Sequence, residues 1–248
     1  MKRTGLVLFA SLVYVNGHSQ TKRTTSVHQV WTGYFNQTRI TNRWSIWFNT
    51  QYRTKDGFTN GISLFTLRPA LAFHATENIK LIAGYAYTWH YPHNNSDVRP
   101  EHRFLQQLQW HTQQGNNKST QYIRLEERFH KKAMKDSISK GYNFNYRLRY
   151  SYTLQVPLNI KQNISKGNFS FLLSNEVFIS FGKEIVYNYF DQNRLSVALA
   201  YQLNKQNHLH LGYLNVFQQM SAGNQYRFTH AVRALFTHNL DLRKNAGL

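Results

Sequence analysis

The chain has 248 residues, of which 15% are aromatic, 4 are proline and none is cysteine. This composition excludes a disulfide framework, a lipid-anchored N-terminal cysteine and thiolate metal sites, and the length fits one domain. The formal net charge is +19, but the basic residues are spread along the chain and no nucleic-acid-reading motif accompanies them, so nucleic acid is not an expected partner.

Residues 1–19 have the features of a secretory signal peptide. Lys2 and Arg3 form a basic start, and residues 6–15 form an apolar stretch that is too short to cross a membrane as a helix. Gly17 and Ser19 provide the small-x-small spacing that signal peptidase accepts. We therefore expect residues 20–248 to be exported and to form a single domain.

The clearest element of that domain is residues 142–156. Eight apolar residues alternate without interruption with seven polar ones (Tyr142, Phe144, Tyr146, Leu148, Tyr150, Tyr152, Leu154 and Val156 against Asn143, Asn145, Arg147, Arg149, Ser151, Thr153 and Gln155). Only an extended strand separates the two sets, because its side chains project with period two. At about 3.3 Å per residue, a strand of this length is typical of a transmembrane β-barrel and exceeds the strands of a soluble sandwich.

Ten further segments follow the same pattern, more weakly in the first. They are residues 27–36, 43–54, 62–73, 79–90, 101–113, 120–131, 168–181, 191–203, 208–218 and 226–240. The sequence thus predicts an all-β fold, a transmembrane antiparallel up-and-down β-barrel of about 10–12 strands. Single-chain bacterial barrels have even strand numbers. Either residues 20–26 add a partial strand and make twelve, or residues 27–36 lie outside the wall and leave ten.

Two residues are irregular within these segments. Pro69 cannot donate a ladder hydrogen bond, which predicts a bulge in its strand. Glu127 falls on an apolar face, so we expect it near a membrane interface or displaced by a bulge.

The connections predict an orientation in the outer membrane. Tight turns are expected near residues 41–42, 77–78, 116–117, 166–167 and 205–206, and longer loops at 55–61, 91–100, 133–140 and 182–189. Short turns should face the periplasm and long loops the exterior. Aromatic girdles are expected at strand ends, from Trp31, Trp44, Trp89, Trp110 and Tyr187.

The expected partners follow from this location. They are the barrel assembly machinery during insertion and outer-membrane lipid, including lipopolysaccharide. The phosphates of lipopolysaccharide would face basic residues of the outer loops (Lys131, Lys132, Lys135, Lys140 and Lys183). The sequence does not identify a protein partner.

The polar strand faces predict a basic lumen. Ten arginines are expected to point inward against Glu101, Glu126 and Glu176 (the arginines are Arg53, Arg68, Arg103, Arg124, Arg128, Arg147, Arg149, Arg194, Arg227 and Arg233). One interpretation is a narrow anion-preferring channel. The other is a structural envelope protein with a plugged lumen, in which arginines such as Arg103 or Arg128 pair with Glu126.

An outer-membrane lipid esterase or deacylase is an alternative hypothesis. The candidate groups are four inward histidines with two serines and Glu176 (His90, His111, His130, His210, Ser174 and Ser196), but the sequence has no Gly-x-Ser-x-Gly elbow. His208 and His210 share one strand face without a third ligand. We therefore predict no enzyme, no metal site and no cofactor.

Several short motifs resemble a family of exported bacterial proteins catalogued as domain-of-unknown-function family 2490. They are Trp31 followed by the 44–53 strand, Arg68-Pro69, Glu101-His102-Arg103 with Gln106-Gln107, residues 124–128, Asn193-Arg194 and residues 212–215. The likeness covers nearly all of residues 20–248. It implies an outer-membrane β-barrel without an assigned activity, and a loop-mediated role in an envelope complex remains a further alternative.

Overall fold

The computed structural model describes residues 22–92, 97–134, 137–158 and 167–243. The predicted signal peptide lies outside the described residues. Among the described residues, no helix has the length and apolar character needed to cross a membrane. These residues form eleven strands: β1 Arg23–Arg39, β2 Trp44–Thr54, β3 Ile62–His74, β4 Ile79–His90, β5 Arg99–Gln114, β6 Asn117–Met134, β7 Ser137–Pro157, β8 Phe169–Phe181, β9 Phe190–Gln202, β10 Asn207–Gln219 and β11 Gln225–Asp241.

The strands close into one barrel. Each strand pairs antiparallel with the next in sequence, and β1 closes the ring by pairing parallel with β11 in the register Val30↔Val232. The predicted all-β barrel is therefore confirmed. Both predicted strand numbers, ten and twelve, are wrong, because residues 23–39 form a single strand that lies in the wall between β2 and β11. An odd number of alternating strands leaves the first and last running in the same direction, so the closing pair has to be parallel.

The barrel has two distinct ends. The loop end holds the described connections 55–61, 182–189 and 220–224 and residues 91–92 and 97–98 between β4 and β5, and the turn end holds 40–43, 75–78, 115–116 and 203–206. Strand β1 begins at the loop end, where Arg23 N donates to Asn224 O at 3.0 Å. Strand β11 ends at the turn end, where Leu242 N donates to Arg39 O at 2.8 Å. The two ends of the described wall therefore lie on opposite rims.

One predicted connection is wrong. The expected loop 133–140 is largely strand, since β6 continues to Met134 and β7 begins at Ser137, with 135–136 outside the described residues. The tight turn predicted at 166–167 falls on the stretch between β7 and β8 of which residues 159–166 lie outside the described residues. Polar residues in 133–140 resemble a loop by composition, although they continue the ladder between two neighbouring strands.

The predicted bulges are absent from Pro69 and Glu127. The β3/β4 ladder is interrupted between Leu67↔Tyr87 and Ala70↔Gly84 without any change of register. Glu127 pairs regularly with Phe104 and Tyr146, and the register shift of β6 lies between Lys131 and Ala133 instead. Glu127 therefore remains on the outer face, where Gln106 Nε2 donates to its Oε1 at 3.4 Å.

The outer face of the wall is apolar. Large hydrophobic side chains of the strands are exposed there, for example Leu71 at 56% and Leu211 at 53%. The buried side chains are instead mostly polar or charged, and several are fully enclosed, including Glu101, Glu126 and Ser45. The barrel thus has the reverse of the usual distribution in a water-soluble domain.

Aromatic side chains form a belt around the outer face toward the loop end. Successive ring contacts connect neighbours from β3 to β8 (Phe65, Trp89, Tyr87, His102, Tyr85, Phe104, Phe129, Phe144, Tyr146 and Phe181). Toward the turn end, three pairs occupy the same face (Trp44 with Phe73, Tyr34 with Phe236, and Phe169 with Tyr201).

Two of the five residues predicted for the girdles lie elsewhere. Trp31 is 8% exposed and lies inside the barrel, and Tyr187 is exposed in the connection 182–189, beyond the strands. Trp31 was misassigned because the alternation in β1 is weak, so the sequence does not distinguish its two faces.

Candidate functional site

The interior toward the loop end is organised by Glu101 on β5. Its fully buried carboxylate accepts hydrogen bonds from Arg103 Nε at 2.5 Å, Arg103 Nη2 at 2.6 Å and Arg128 Nε at 2.6 Å. His90 Nε2 lies 2.7 Å from Glu101 Oε2, and His130 Nε2 lies 3.6 Å from Oε1. The predicted pairing of Arg103 or Arg128 with Glu126 is therefore wrong, since both hydrogen-bond to Glu101, which lies on the same strand as Arg103.

Glu126 on β6 binds the two arginines of β7. Its Oε2 accepts from Arg147 Nε at 2.9 Å and Nη2 at 2.5 Å, while Oε1 accepts from Arg149 Nη1 at 2.7 Å. Arg147 Nη1 also donates to Asp191 Oδ2 on β9 at 3.1 Å. The neighbouring β6 and β7, and β9 beyond β8, are thus joined by charge-assisted hydrogen bonds, which are stronger than neutral ones.

Glu176 on β8 extends the same set of contacts. Its Oε1 accepts hydrogen bonds from Arg149 and from the hydroxyl of Tyr122, and its Oε2 lies 3.8 Å from Arg194 Nη1. The fully buried ring of Phe178 lies beneath three guanidinium groups, at 4.4 to 5.2 Å from Arg194, Arg149 and Arg147. We call Glu101, Glu126, Glu176 and Asp191, with the arginines bound to them, the carboxylate network.

The opposite wall contributes an aromatic platform. The guanidinium carbon of Arg53 on β2 lies 3.6 Å from the centre of the Trp31 ring, and that of Arg194 on β9 lies 5.1 Å from it. The Trp31 ring is thus a platform on which side chains from β1, β2 and β9 meet inside the barrel. A buried cation–π contact of this kind stabilises by about 2 kcal/mol.

A cavity of about 270 Å³ lies beside this platform, and we call it the arginine cavity. Its charged lining consists of six arginines and Glu176 (Arg53, Arg68, Arg124, Arg149, Arg194 and Arg233). A second cavity, of about 320 Å³, lies toward the turn end and shares Phe35, Trp47 and Asn49 with the first. The two cavities thus lie in the middle of the lumen and toward the turn end, and the carboxylate network lies toward the loop end, with Arg149 and Glu176 belonging to both the network and the arginine cavity.

All ten arginines named in the sequence analysis lie on the inner face. Arg103, Arg128, Arg147 and Arg149 hydrogen-bond to carboxylates, and Arg194 lies within ion-pair distance of Glu176. Arg124 lies 3.6 Å from Glu126, Arg233 Nη1 donates to Ser196 at 3.5 Å, and Arg227 Nη2 donates to Gln218 at 2.7 Å. Arg53 and Arg68 have no carboxylate partner among the described residues, so the interior retains a positive excess.

The sequence model of a family described as "Protein of unknown function (DUF2490)" matches residues 28–227. The chain belongs to this family. No curated protein and no solved structure matches the chain. The resemblance found in the sequence motifs is therefore confirmed, and the DUF2490 description assigns no activity to any residue.

The residues considered for ester hydrolysis do not come together. Among the described residues, His90 and His130 lie at Glu101, His111 contacts Gln109 and Thr120, and His210 contacts Thr237, so none reaches Ser174 or Ser196. Glu176, the third candidate group for ester hydrolysis, binds arginine instead of a histidine.

A serine and a histidine that the sequence analysis did not consider are in contact. Ser45 Oγ and His74 Nε2 are 2.6 Å apart, and Arg39 Nη1 lies 3.1 Å from His74 Nδ1. An arginine can only donate, so Nδ1 accepts and Nε2 carries the proton that is donated to Ser45. A serine nucleophile needs the opposite arrangement, in which the histidine accepts the hydroxyl proton.

One group of three potential metal ligands exists among the described residues. His90, Glu101 and His130 have ligand atoms within 4.8 Å of one another. Both carboxylate oxygens of Glu101 are already bound by guanidinium groups, and two adjacent positive charges oppose a divalent cation. The group is better explained as part of the carboxylate network.

Four residues of the carboxylate network and the aromatic platform were not predicted from the sequence. Tyr122 and Phe178 occupy inward positions of their own alternating strands, so that pattern could have identified them. Trp31 was assigned to the outer girdle. Asp191 reaches the interior because the β8/β9 register shifts between Phe178 and Ile179, and the sequence contains no sign of that bulge.

Proposed function

We propose that this DUF2490 member is an outer-membrane β-barrel that acts as a structural wall protein, with a lumen closed by the carboxylate network. The observation that supports this most directly is the inverted surface, since apolar side chains are exposed outside and charged ones are enclosed inside. Such a surface requires an apolar environment around the barrel, and lipid provides one.

The aromatic belts support a membrane location. A belt of touching rings follows the outer face toward the loop end, and aromatic pairs lie toward the turn end. Transmembrane barrels have aromatic girdles at both interfaces. At the loop end, Lys131 Nζ lies 4.8 Å from the Tyr142 ring, while Lys132, Lys140 and Lys183 are exposed. We propose that these lysines bind the phosphates of lipopolysaccharide. The fifth lysine of the predicted set, Lys135, lies outside the described residues.

The enclosed carboxylate network favours a wall protein over an open channel. Glu101 and Glu126 have no exposed surface, and the arginines that bind them come from the same and neighbouring strands. Phe178 and Trp31 fill the centre of the lumen between guanidinium groups. An anion entering from the turn end would meet this packed layer.

Single-channel recording in a planar bilayer tests the proposal. We expect the inserted wild-type barrel to give no discrete conductance steps, and a Trp31→Ala/Phe178→Ala variant to give them because it removes the two central rings. Phe58→Ala, which alters an exposed ring in the connection 55–61, serves as the control. Frequent chloride-selective steps from the wild type, weakened in an Arg147→Ser/Arg149→Ser variant, would favour the anion channel instead.

A further inference from the structure

The arginine cavity has more positive charge than its surroundings neutralise. Six arginines and one carboxylate, Glu176, line it. That carboxylate is bound to Arg149 and Tyr122 and lies 3.8 Å from Arg194. The other arginines of the lining therefore share almost no counter-charge within the cavity.

Arg68 shows the imbalance most clearly. Its side chain is 6% exposed, it has no hydrogen bond or ion pair with any described residue, and its Nε is buried without a partner. Burial of an ionised group costs several kcal/mol unless a charge and hydrogen bonds compensate it. Arg68 lies on β3, so this unfavourable burial is located in the centre of the lumen.

Two neighbours of Arg68 also have unpaired N–H groups. Arg53 Nε is buried without a partner, and its Nη2 donates only to Gln51 Oε1, at 3.3 Å. Arg124 Nη1 is likewise buried without a hydrogen-bond partner, although it lies 3.6 Å from Glu126 Oε1 and its Nε donates to Gln107 at 2.6 Å. Three arginines of one cavity, on β2, β3 and β6, thus each retain at least one unpaired N–H group. Water could satisfy these donors but could not neutralise their charge.

We propose that the arginine cavity is a binding site for a phosphate-type oxyanion, either inorganic phosphate or a small phosphate monoester. The planar guanidinium fork matches the paired oxygens of a phosphate, and several forks around one site favour a divalent tetrahedral anion over chloride. A volume of about 270 Å³ accommodates such a group. The second cavity adjoins it through Phe35, Trp47 and Asn49, which provides a path from the turn end.

Calorimetric titration of the refolded protein in detergent micelles tests this site. The probes are inorganic phosphate and glycerol 3-phosphate at constant ionic strength in chloride. We expect saturable phosphate binding by the wild type and at least tenfold weaker binding by Arg68→Met and by Arg53→Met. Arg227→Met is the matched control, because Arg227 lies on the inner face but outside the cavity lining, and it should bind phosphate normally. Tighter binding of glycerol 3-phosphate would identify a monoester as the ligand, and tighter binding of inorganic phosphate would identify the free ion.

Thermal unfolding separates loss of the site from loss of the fold. Without phosphate, Arg68→Met should unfold at a higher temperature than the wild type, because an unpaired buried charge has been removed. At the same concentration, phosphate should raise the midpoint of the wild type clearly more than that of Arg68→Met. The proposal is overturned by an absence of phosphate binding to the folded wild type, by unchanged affinity in both variants, or by equal competition from chloride. These measurements do not depend on membrane insertion or conductance, so they can fail while the proposed wall function stands.

Discussion

Glu126 Oε2 accepts two hydrogen bonds from Arg147, from Nε at 2.9 Å and from Nη2 at 2.5 Å, and both side chains are almost fully buried. Glu126→Gln would remove the nearest counter-charge of Arg147 and one of the two carboxylates that bind Arg149. We expect the free energy of unfolding to fall by about 3 kcal/mol or more. Urea-induced unfolding from lipid vesicles measures this loss. Glu184→Gln, at an exposed position of the connection 182–189, should change it little, and equal stability of the two variants would contradict the assigned role.

Glu127 provides a test of membrane insertion, because it lies on the outer face opposite Phe104 and Tyr146. In lipid, replacement of this charge by Glu127→Gln should stabilise the barrel by about 1 kcal/mol, since charges facing the hydrocarbon are unfavourable. In water the same change should have little effect. Comparison of the unfolding free energies of wild type and variant in vesicles measures this difference. Destabilisation by Glu127→Gln would argue against contact with lipid.

The parallel seam between β1 and β11 can be tested with engineered cysteines, because the chain has none of its own. Val30 lies opposite Val232, so Val30→Cys/Val232→Cys should be joined efficiently by oxidation or by a short crosslinker. Val30→Cys/Leu240→Cys should not, since Leu240 is opposite Thr38, about 26 Å farther along the ladder. Crosslinking is read from the change in electrophoretic mobility. A crosslink in the second pair alone would mean a different closure of the ring.

The second cavity and the carboxylate network should differ in access for water-soluble reagents. Thr237 lines the second cavity, whereas Ser180 is 1% exposed and pairs with Arg147 at the carboxylate network. We expect a charged methanethiosulfonate reagent to modify Thr237→Cys rapidly and Ser180→Cys at least tenfold more slowly. Mass spectrometry of the intact protein follows both reactions. Similar rates would mean that the lumen is open along its whole length.

Much of the wall could be predicted from the sequence. Alternation indicated all eleven strands, because a strand with an apolar outer face and a polar inner face has to separate its side chains by period two. The parallel pairing of β1 and β11 was not foreseen, since it depends on how the ring closes and neither strand encodes a direction of pairing. The inward position of Trp31 was not foreseen either, because the alternation of β1 is too weak to distinguish its two faces.

The interior was predictable in composition but not in connectivity. Placement of the arginines follows from the parity of the strand positions. The partner of each arginine depends on the register between strands, which the sequence does not specify. Arg103 hydrogen-bonds to Glu101 on its own strand and not to Glu126 on the neighbouring one. Asp191 was missed for a related reason, because a bulge beside Ile179 turns it toward Arg147. The cavity beside Arg68 depends on the unfilled volume between opposite walls, which no local pattern specifies.

The odd number of strands places the start of β1 and the end of β11 on opposite rims, which an even-stranded ring does not do. Fluorophores attached before Arg23 and after Asp241 would stand on opposite rims, separated by the length of β1, about 50 Å along a tilted strand. In a ring of ten or twelve strands both would stand on the same rim. Energy transfer between two such end labels would therefore report strand parity directly, and their accessibility from either side would give the direction in which the ring sits.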